Sequence, residues 1–270
     1  MKQLTLAMLM GFAFTLQAQN TAFELVKDDD NIWVEKFDST VVDENRYNWN
    51  NTIFKVGRTF VYDFVHITKT GDSLFVAFKE EQEWDFVSKS EKVDNTVAGV
   101  KIGVSNGLSP FDQFLPDYNQ TVISYTYGKE KTFSVSGAIE NEKNIWIHPP
   151  RDRYFKILEL NPFPYIEAPY EVGTRWKWNL AIGAQWGDSR WKTWEGNIEN
   201  SYDYEIVGTE TIKTAFGEIS CYVIQSHADS SLGKTALTAH FNESYGFVKL
   251  DYTNIDGSKT ILQLIDLLAP

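Results

Sequence analysis

Nucleophilic catalysis has little to work with in this chain: the histidines are His66, His148, His227 and His240, and the single cysteine is Cys221. A serine or cysteine nucleophile needs a histidine within reach, and no Gly-x-Ser-x-Gly elbow occurs. Cys221 alternates with Ile219 and Val223, which places it on one strand face as a core residue and not as a reactive thiol. Neither His-x-x-x-His nor Cys-x-x-Cys is present, so no metal and no cofactor are expected. Asp28-Asp29-Asp30 lacks the alternating spacing and bidentate glutamate of a calcium loop and reads as a solvated turn. Glu80, Glu81, Glu83 and Asp85 lie in or beside one strand candidate. Two carboxylates across a groove could hydrolyse a glycoside, but spacing along the chain says nothing about their separation, and a solvated face is the plainer account.

Binding chemistry is better represented. Trp176, Trp178, Trp186, Trp191 and Trp194 crowd one stretch, followed by Tyr202 and Tyr204. Indole faces suit stacking against sugar rings or grasping an apolar ligand. Trp176 and Trp178 alternate with Arg175, Lys177 and Asn179, the pattern of a half-buried strand, and so belong to a core. Trp186, Trp191 and Trp194 sit instead among Gly187, Asp188, Ser189, Arg190, Lys192 and Glu195, and are candidates for a ligand surface. The competing account is a tryptophan-rich structural cluster. A second anomaly is His148-Pro149-Pro150-Arg151-Asp152-Arg153-Tyr154, rigid and locally basic in an acidic chain. His148 and Arg151 join the candidate binding residues there. Arg151 and Arg153 could grip a carboxylate or phosphate, or pair with nearby acids in a structural crossover.

The elements that would position these residues are almost all strands. Residues 59–67 mix β-branched and aromatic types with no helical period, and Gly71-Asp72-Ser73 then turns the chain into a second strand at 74–78. Further strands are expected at 83–87, 97–104, 122–127, 132–139, 144–147, 175–182, 202–207, 218–225, 237–241, 247–253 and 259–267. Asp256-Gly257 suits a tight hairpin before the last. Sequential hairpins imply an all-β antiparallel meander forming a large curved sheet, sandwich or open barrel. One short helix is expected at 110–115, with Ser109 as cap, Pro110 in the first turn and Pro116 as the stop. Five prolines between His148 and Pro169 mark residues 148–170 as a crossover between an N-terminal β half, 19–147, and a C-terminal one, 171–270. Val56-Gly57 and Val172-Gly173 both lead into strands with alternate aromatics, which is compatible with a duplication or simply with two strands that start after a glycine turn.

At the N-terminus, Lys2, the apolar run from Leu4 to Leu16 and Ala18 form the pattern of a secretory signal peptide cleaved near Ala18. The run is shorter than the ~20 residues a membrane-spanning helix needs, and no lipid-accepting cysteine follows it. A periplasmic or secreted location is expected. With 43% hydrophobic and 15% aromatic residues the chain can bury a substantial core, and its single cysteine leaves it without an intrachain disulfide. A net charge of −12 argues against nucleic acid and anionic membrane surfaces as partners.

Val207-Gly208-Thr209-Glu210, the strand from Ala215 to Ile224 containing Cys221-Tyr222, and Tyr245-Gly246-Phe247-Val248-Lys249 together resemble the exported bacterial β proteins of unknown function called DUF3108. The Val172 strand start resembles that family too, so the resemblance covers roughly the last hundred residues. It implies a β fold and an exported location, and no chemistry. The expectation is therefore an exported, non-catalytic β protein that binds or scaffolds in the envelope, its ligand unknown but of glycan or apolar small-molecule type. Two facing buried carboxylates beside exposed tryptophans would instead favour a glycan-acting hydrolase. A deep apolar cavity between sheet faces would favour a carrier of apolar ligands.

Overall fold

The computed structural model describes residues 23–38, 46–91, 93–106, 119–128 and 133–269. The signal segment and the helix expected at 110–115 lie outside them. A period of two dominates what is described. In Thr59–Ile67 the side chains of Phe60, Tyr62, Phe64 and His66 are buried and those between them are not. In Arg175–Gly183 the same alternation buries Trp176 and Trp178 and exposes Arg175, Lys177 and Asn179. Successive strand side chains point to opposite faces, so each strand contributes one aromatic face to a common interior.

The strands are β1 (Phe23–Lys27), β2 (Trp33–Phe37), β3 (Thr59–Ile67), β4 (Ser73–Phe78), β5 (Trp84–Ser88), β6 (Thr96–Val97), β7 (Gly99–Val104), β8 (Thr121–Tyr127) and β9 (Phe133–Glu140). They continue with β10 (Asn144–Ile147), β11 (Tyr165–Glu167), β12 (Arg175–Gly183), β13 (Asn197–Thr214), β14 (Gly217–Ser230), β15 (Gly233–Asn242), β16 (Gly246–Thr253) and β17 (Lys259–Leu268). β1 and β2 pair only with each other. The rest form one antiparallel sheet in the order β11-β10-β9-β8-β7-β3-β17-β16-β15-β14-β13-β12, with β4, β5 and β6 attached beside β3. Strands preceding β12 and strands from β12 onward thus occupy two consecutive runs joined along β3 and β17, where Thr59 faces Leu268 and Ile67 faces Lys259. The sheet curls until it is nearly closed into a barrel. At the open seam Tyr165 of β11 meets Trp176 of β12 edge-on, ring centres 5.8 Å apart.

Two glycine turns start the strands that matter most. Gly57 and Gly173 both adopt positive φ, 80° and 96°, which only glycine does without strain. Gly57 donates to the Val104 carbonyl while Val104 donates back to Arg58; Gly173 donates to Ile206 while Ile206 donates to Thr174. The Val-Gly motif therefore does the same job twice: it hooks the incoming chain onto the strand it will pair with.

The interior of the curl is filled by the chain itself. The proline-rich crossover does not run over the surface: between Pro150 and Pro162 it forms a 3-10 helix, Arg153–Leu160, buried along nearly its whole length. Phe155 packs on Phe64, Phe78 and Tyr127, and Tyr154 packs on Phe64 and Trp84. Polar side chains then satisfy the plug's backbone and carry it across to the second run. Thr235 and Asn200 donate to the Leu160 carbonyl, Tyr204 donates to Phe163, and Asn161 donates to the carbonyls of Ala236 and Thr253. Each such bond contributes about 1 kcal/mol when made and costs more when a buried partner is left alone.

Cys221 is 1% exposed and lies in β14 beside Ile219, as expected. Burial and, to a lesser degree, the Glu210 carboxylate push its thiol up to about 12, so almost no thiolate exists at neutral pH. A thiol reagent at pH 7 should leave the folded protein unmodified for hours and label it completely in denaturant. Native labelling within minutes would contradict this placement.

Candidate functional site

The segment Ala184–Trp186, a short 3-10 turn, opens a loop that runs to β13 and lies against the Arg153–Leu160 plug. Its tryptophans have different fates. Trp191, expected on a ligand surface, is only 8% exposed: its indole stacks on Trp84 of β5 at 6.0 Å, with planes 21° apart. Arg190 holds the contact in place. Its guanidinium lies 3.8 Å from the Trp84 ring centre, donates to the Trp84 carbonyl at 2.9 Å and forms a two-pronged pair with Asp188. The reason for the correction is that Trp84 comes from the other part of the chain, and nothing local announces it. Trp191→Ala should cost about 3 kcal/mol, in the range for emptying a buried indole site. An equilibrium urea melt gives the value; a loss under 1 kcal/mol would return Trp191 to the surface. Trp194 is half-buried and spends its indole N–H on the Ile182 carbonyl at 3.3 Å, so it too serves the loop.

Trp186 is the one that meets the other predicted residues. It is half-buried, and the Arg151 guanidinium stands 5.7 Å from its ring centre. Arg151 Nη1 approaches His148 Nε2 at 3.5 Å, and its Nη2 donates to the Val135 carbonyl at 3.3 Å. His148 Nδ1 contacts the Pro149 carbonyl at 2.9 Å, which assigns the ring proton to Nδ1 and leaves Nε2 as an acceptor facing Arg151. Phe163 and Trp146 wall the imidazole in. Three of the five residues expected to bind, His148, Arg151 and Trp186, thus gather in one corner around the Arg151 guanidinium.

The fourth member of that corner is Glu159, which sequence reasoning did not single out. Its carboxyl is 3% exposed and its Oε1 stands 3.5 Å from His148 Nε2, too long for a good hydrogen bond. Burial raises it to about 8, against a smaller opposing pull from Arg151. Burial, with help from the Arg151 charge, lowers His148 to about 3. Both groups are therefore neutral at pH 7, and Arg151 supplies the charge of the cluster. The available signal is an acid between Leu158 and Leu160, in a stretch where Lys156 is the only other charge.

Elsewhere, Asp28 closes the β1–β2 turn by accepting from the backbone of Asp30 and Ile32, and Asp85 pairs with Lys79 in solvent. Among the described residues no three metal-ligating side chains gather. Glu35 lies near enough to Glu140 to feel its charge, beside surface hollows lined by Asn50, Asn141 and Glu142. Glu35 is raised by burial and by its neighbour. Glu140, however, is fully engaged: its two oxygens accept from the backbone N–H groups of Thr52, Ile53 and Phe54 and from the Thr52 hydroxyl. It caps a loop and has no lone pair left to activate water.

No family model matches this chain, and no curated protein matches it. The motifs at 207–249 accordingly stand as a resemblance. Among solved structures, the chain is similar to a candidate lipoprotein from Parabacteroides distasonis, with TM-score 0.43 and 11% identity over 81% of this chain and 100% of that one. It is also similar to a candidate exported protein with YmcC-like fold from Bacteroides fragilis, with TM-score 0.40 and 12% identity over 80% and 97%. For the hypothetical lipoprotein YmcC from Escherichia coli the values are 0.29 and 11%, over 79% and 85%.

Proposed function

We propose that this chain is an exported, non-catalytic β protein that binds or scaffolds in the cell envelope, making its ligand contacts through Trp186, Arg151 and His148. The observation that supports a surface over an interior site is the filled curl. Where Pro149, Pro150 and Pro164 of the crossover meet Tyr62, Tyr125 and Leu250 of the sheet, the apolar void amounts to about 10 Å³, the room of one water. A carrier of apolar ligands needs several hundred Å³. Export rests on the signal-peptide pattern of residues 1–18, and no helix of the described residues is long and apolar enough to cross a membrane.

The mature protein, incubated with soluble envelope glycans, should return every bound ligand chemically unchanged by mass spectrometry. Trp186→Ala should weaken retention while leaving the melting temperature within a few degrees. A ligand recovered cleaved would replace this reading with the hydrolase. In the same preparation an N-terminus near Gln19 supports export, and an intact Met1 in the exported fraction contradicts it.

A further inference from the structure

Arg153 pairs with Asp152, Arg175 with Glu205 and Arg190 with Asp188, and Arg58, without a carboxylate partner among the described residues, donates to the carbonyls of Thr52 and Ile53 at 3.0 and 2.7 Å. Arg151 has no carboxylate within 4.0 Å among the described residues; its polar contacts are the neutral His148 ring and one backbone carbonyl, both long. The acid best placed to neutralise it, Glu159, is held protonated by burial. The corner therefore carries one uncompensated positive charge in a chain of net charge −12. At physiological salt, charges more than ~8 Å away are largely screened, so the local cation decides what binds.

Resting on the binding reading above, we propose that this corner takes a sugar bearing a carboxylate, a uronic-acid residue, with its carboxylate on Arg151 and the C–H face of its ring against the exposed part of Trp186. Arginine's planar fork matches a planar carboxylate in two parallel hydrogen bonds. Phosphate fits the fork equally well, but near pH 7 it carries close to two charges, and the cluster has a single cation to meet them. His148 Nε2, a neutral acceptor beside the guanidinium, suits a sugar hydroxyl and repels a second anionic oxygen.

The test compares methyl glucuronide with methyl glucoside, which differ only in the carboxylate, and with inorganic phosphate, by calorimetric titration of the mature protein. Methyl glucuronide should bind at least about tenfold tighter than the other two. Arg151→Gln should abolish that preference, and Arg151→Lys, which keeps the charge and loses the fork, should retain part of it. Thermal melts confirm that each variant is folded, and binding by the unaltered protein should weaken as salt is raised, a readout that needs no variant. Equal binding of glucoside and glucuronide would overturn the carboxylate assignment while leaving the tryptophan surface standing. Phosphate binding as tightly as glucuronide, or a preference that survives Arg151→Gln, would overturn it as well. No binding of any probe at millimolar concentration would remove the sugar-acid site and leave the wider binding function to be judged on envelope glycans.

Discussion

Phe155→Ala should cost about 3–5 kcal/mol, the range for truncating a fully buried phenylalanine, and lower the melting temperature by roughly 10 °C. Phe155 is 0% exposed, and its ring meets Phe64 of β3 at 5.0 Å, Tyr127 of β8 at 5.2 Å and its own neighbour Tyr154 at 5.3 Å. The neighbours belong to a sheet that is already curled and hydrogen-bonded, so they cannot collapse into the space. The void persists, and its cost adds to the lost transfer energy. Denaturant melts followed by tryptophan fluorescence measure the effect. A crossover lying on the surface would lose less than 1 kcal/mol, and that result would contradict the plugged barrel.

Stability should peak near pH 6.5 and fall towards pH 8. Glu159 moves from 4.5 to about 8 on folding, so between those values the folded state keeps a proton that the unfolded chain has released, and rising pH favours unfolding. His148 moves from 6.5 to about 3 and His66 from 6.5 to about 4, both chiefly through burial. In their windows the unfolded chain binds protons the folded state refuses, so rising pH favours folding up to 6.5. At 6.5 each unfolded-state histidine still holds half a proton, so the two opposing effects balance there; above it the histidine contribution fades by about pH 7.5, Glu159 dominates up to about 8, and the Cys221 thiol becomes relevant above pH 9. The net limb from 6.5 to 8 amounts to roughly 1 kcal/mol at 1.36 kcal/mol per proton and pH unit, because the tail of the two histidine titrations offsets part of the Glu159 loss. Glu159→Gln should remove it: the variant's stability should rise by somewhat under 1 kcal/mol from pH 6.5 as the histidines finish titrating and then stay level to 8.5, while its acid limb remains. A wild-type profile flat across that interval, or a limb that persists in the variant, would mean that Glu159 ionises in the folded protein.

The binding corner was partly legible before the structure, and the reasons differ residue by residue. Arg151 and His148 stand out because Pro149 and Pro150 between them fix the local backbone and the acidic chain makes local basicity conspicuous. Trp186 stood out with Trp191 and Trp194 through polar neighbours, yet that pattern is shared by a loop that folds its indoles inward. Arg190 is the example: a charged residue that reads as a mark of exposure instead lies flat on Trp84 and helps bury Trp191. Glu159 was passed over because a single acid in a short apolar run is unremarkable until the sheet closes around it. Prolines favour extended or turning backbone in the crossover, but the proline-free interval from Arg151 to Asn161 is long enough for a 3-10 helix, and its burial depends on a concave sheet supplied by both halves.

What the sequence by itself determined are the strands, their antiparallel order within each run and the hairpins between them. β10 spans Asn144–Ile147, the interval its residues indicate, and β12 buries every second residue as its alternation requires. These properties are local: side-chain direction in a strand has a period of two, and a glycine at positive φ bends the chain wherever it stands. β1, β2 and β11 emerge only through their pairing partners. Tertiary structure alone decided that the crossover fills the curl, that Trp191 is covered while Trp186 is left half-open, and that Glu159 keeps its proton beside an unpaired Arg151. Each of those outcomes depends on desolvation, which is set by whatever atoms surround a group after folding, and here those atoms come from distant parts of the chain.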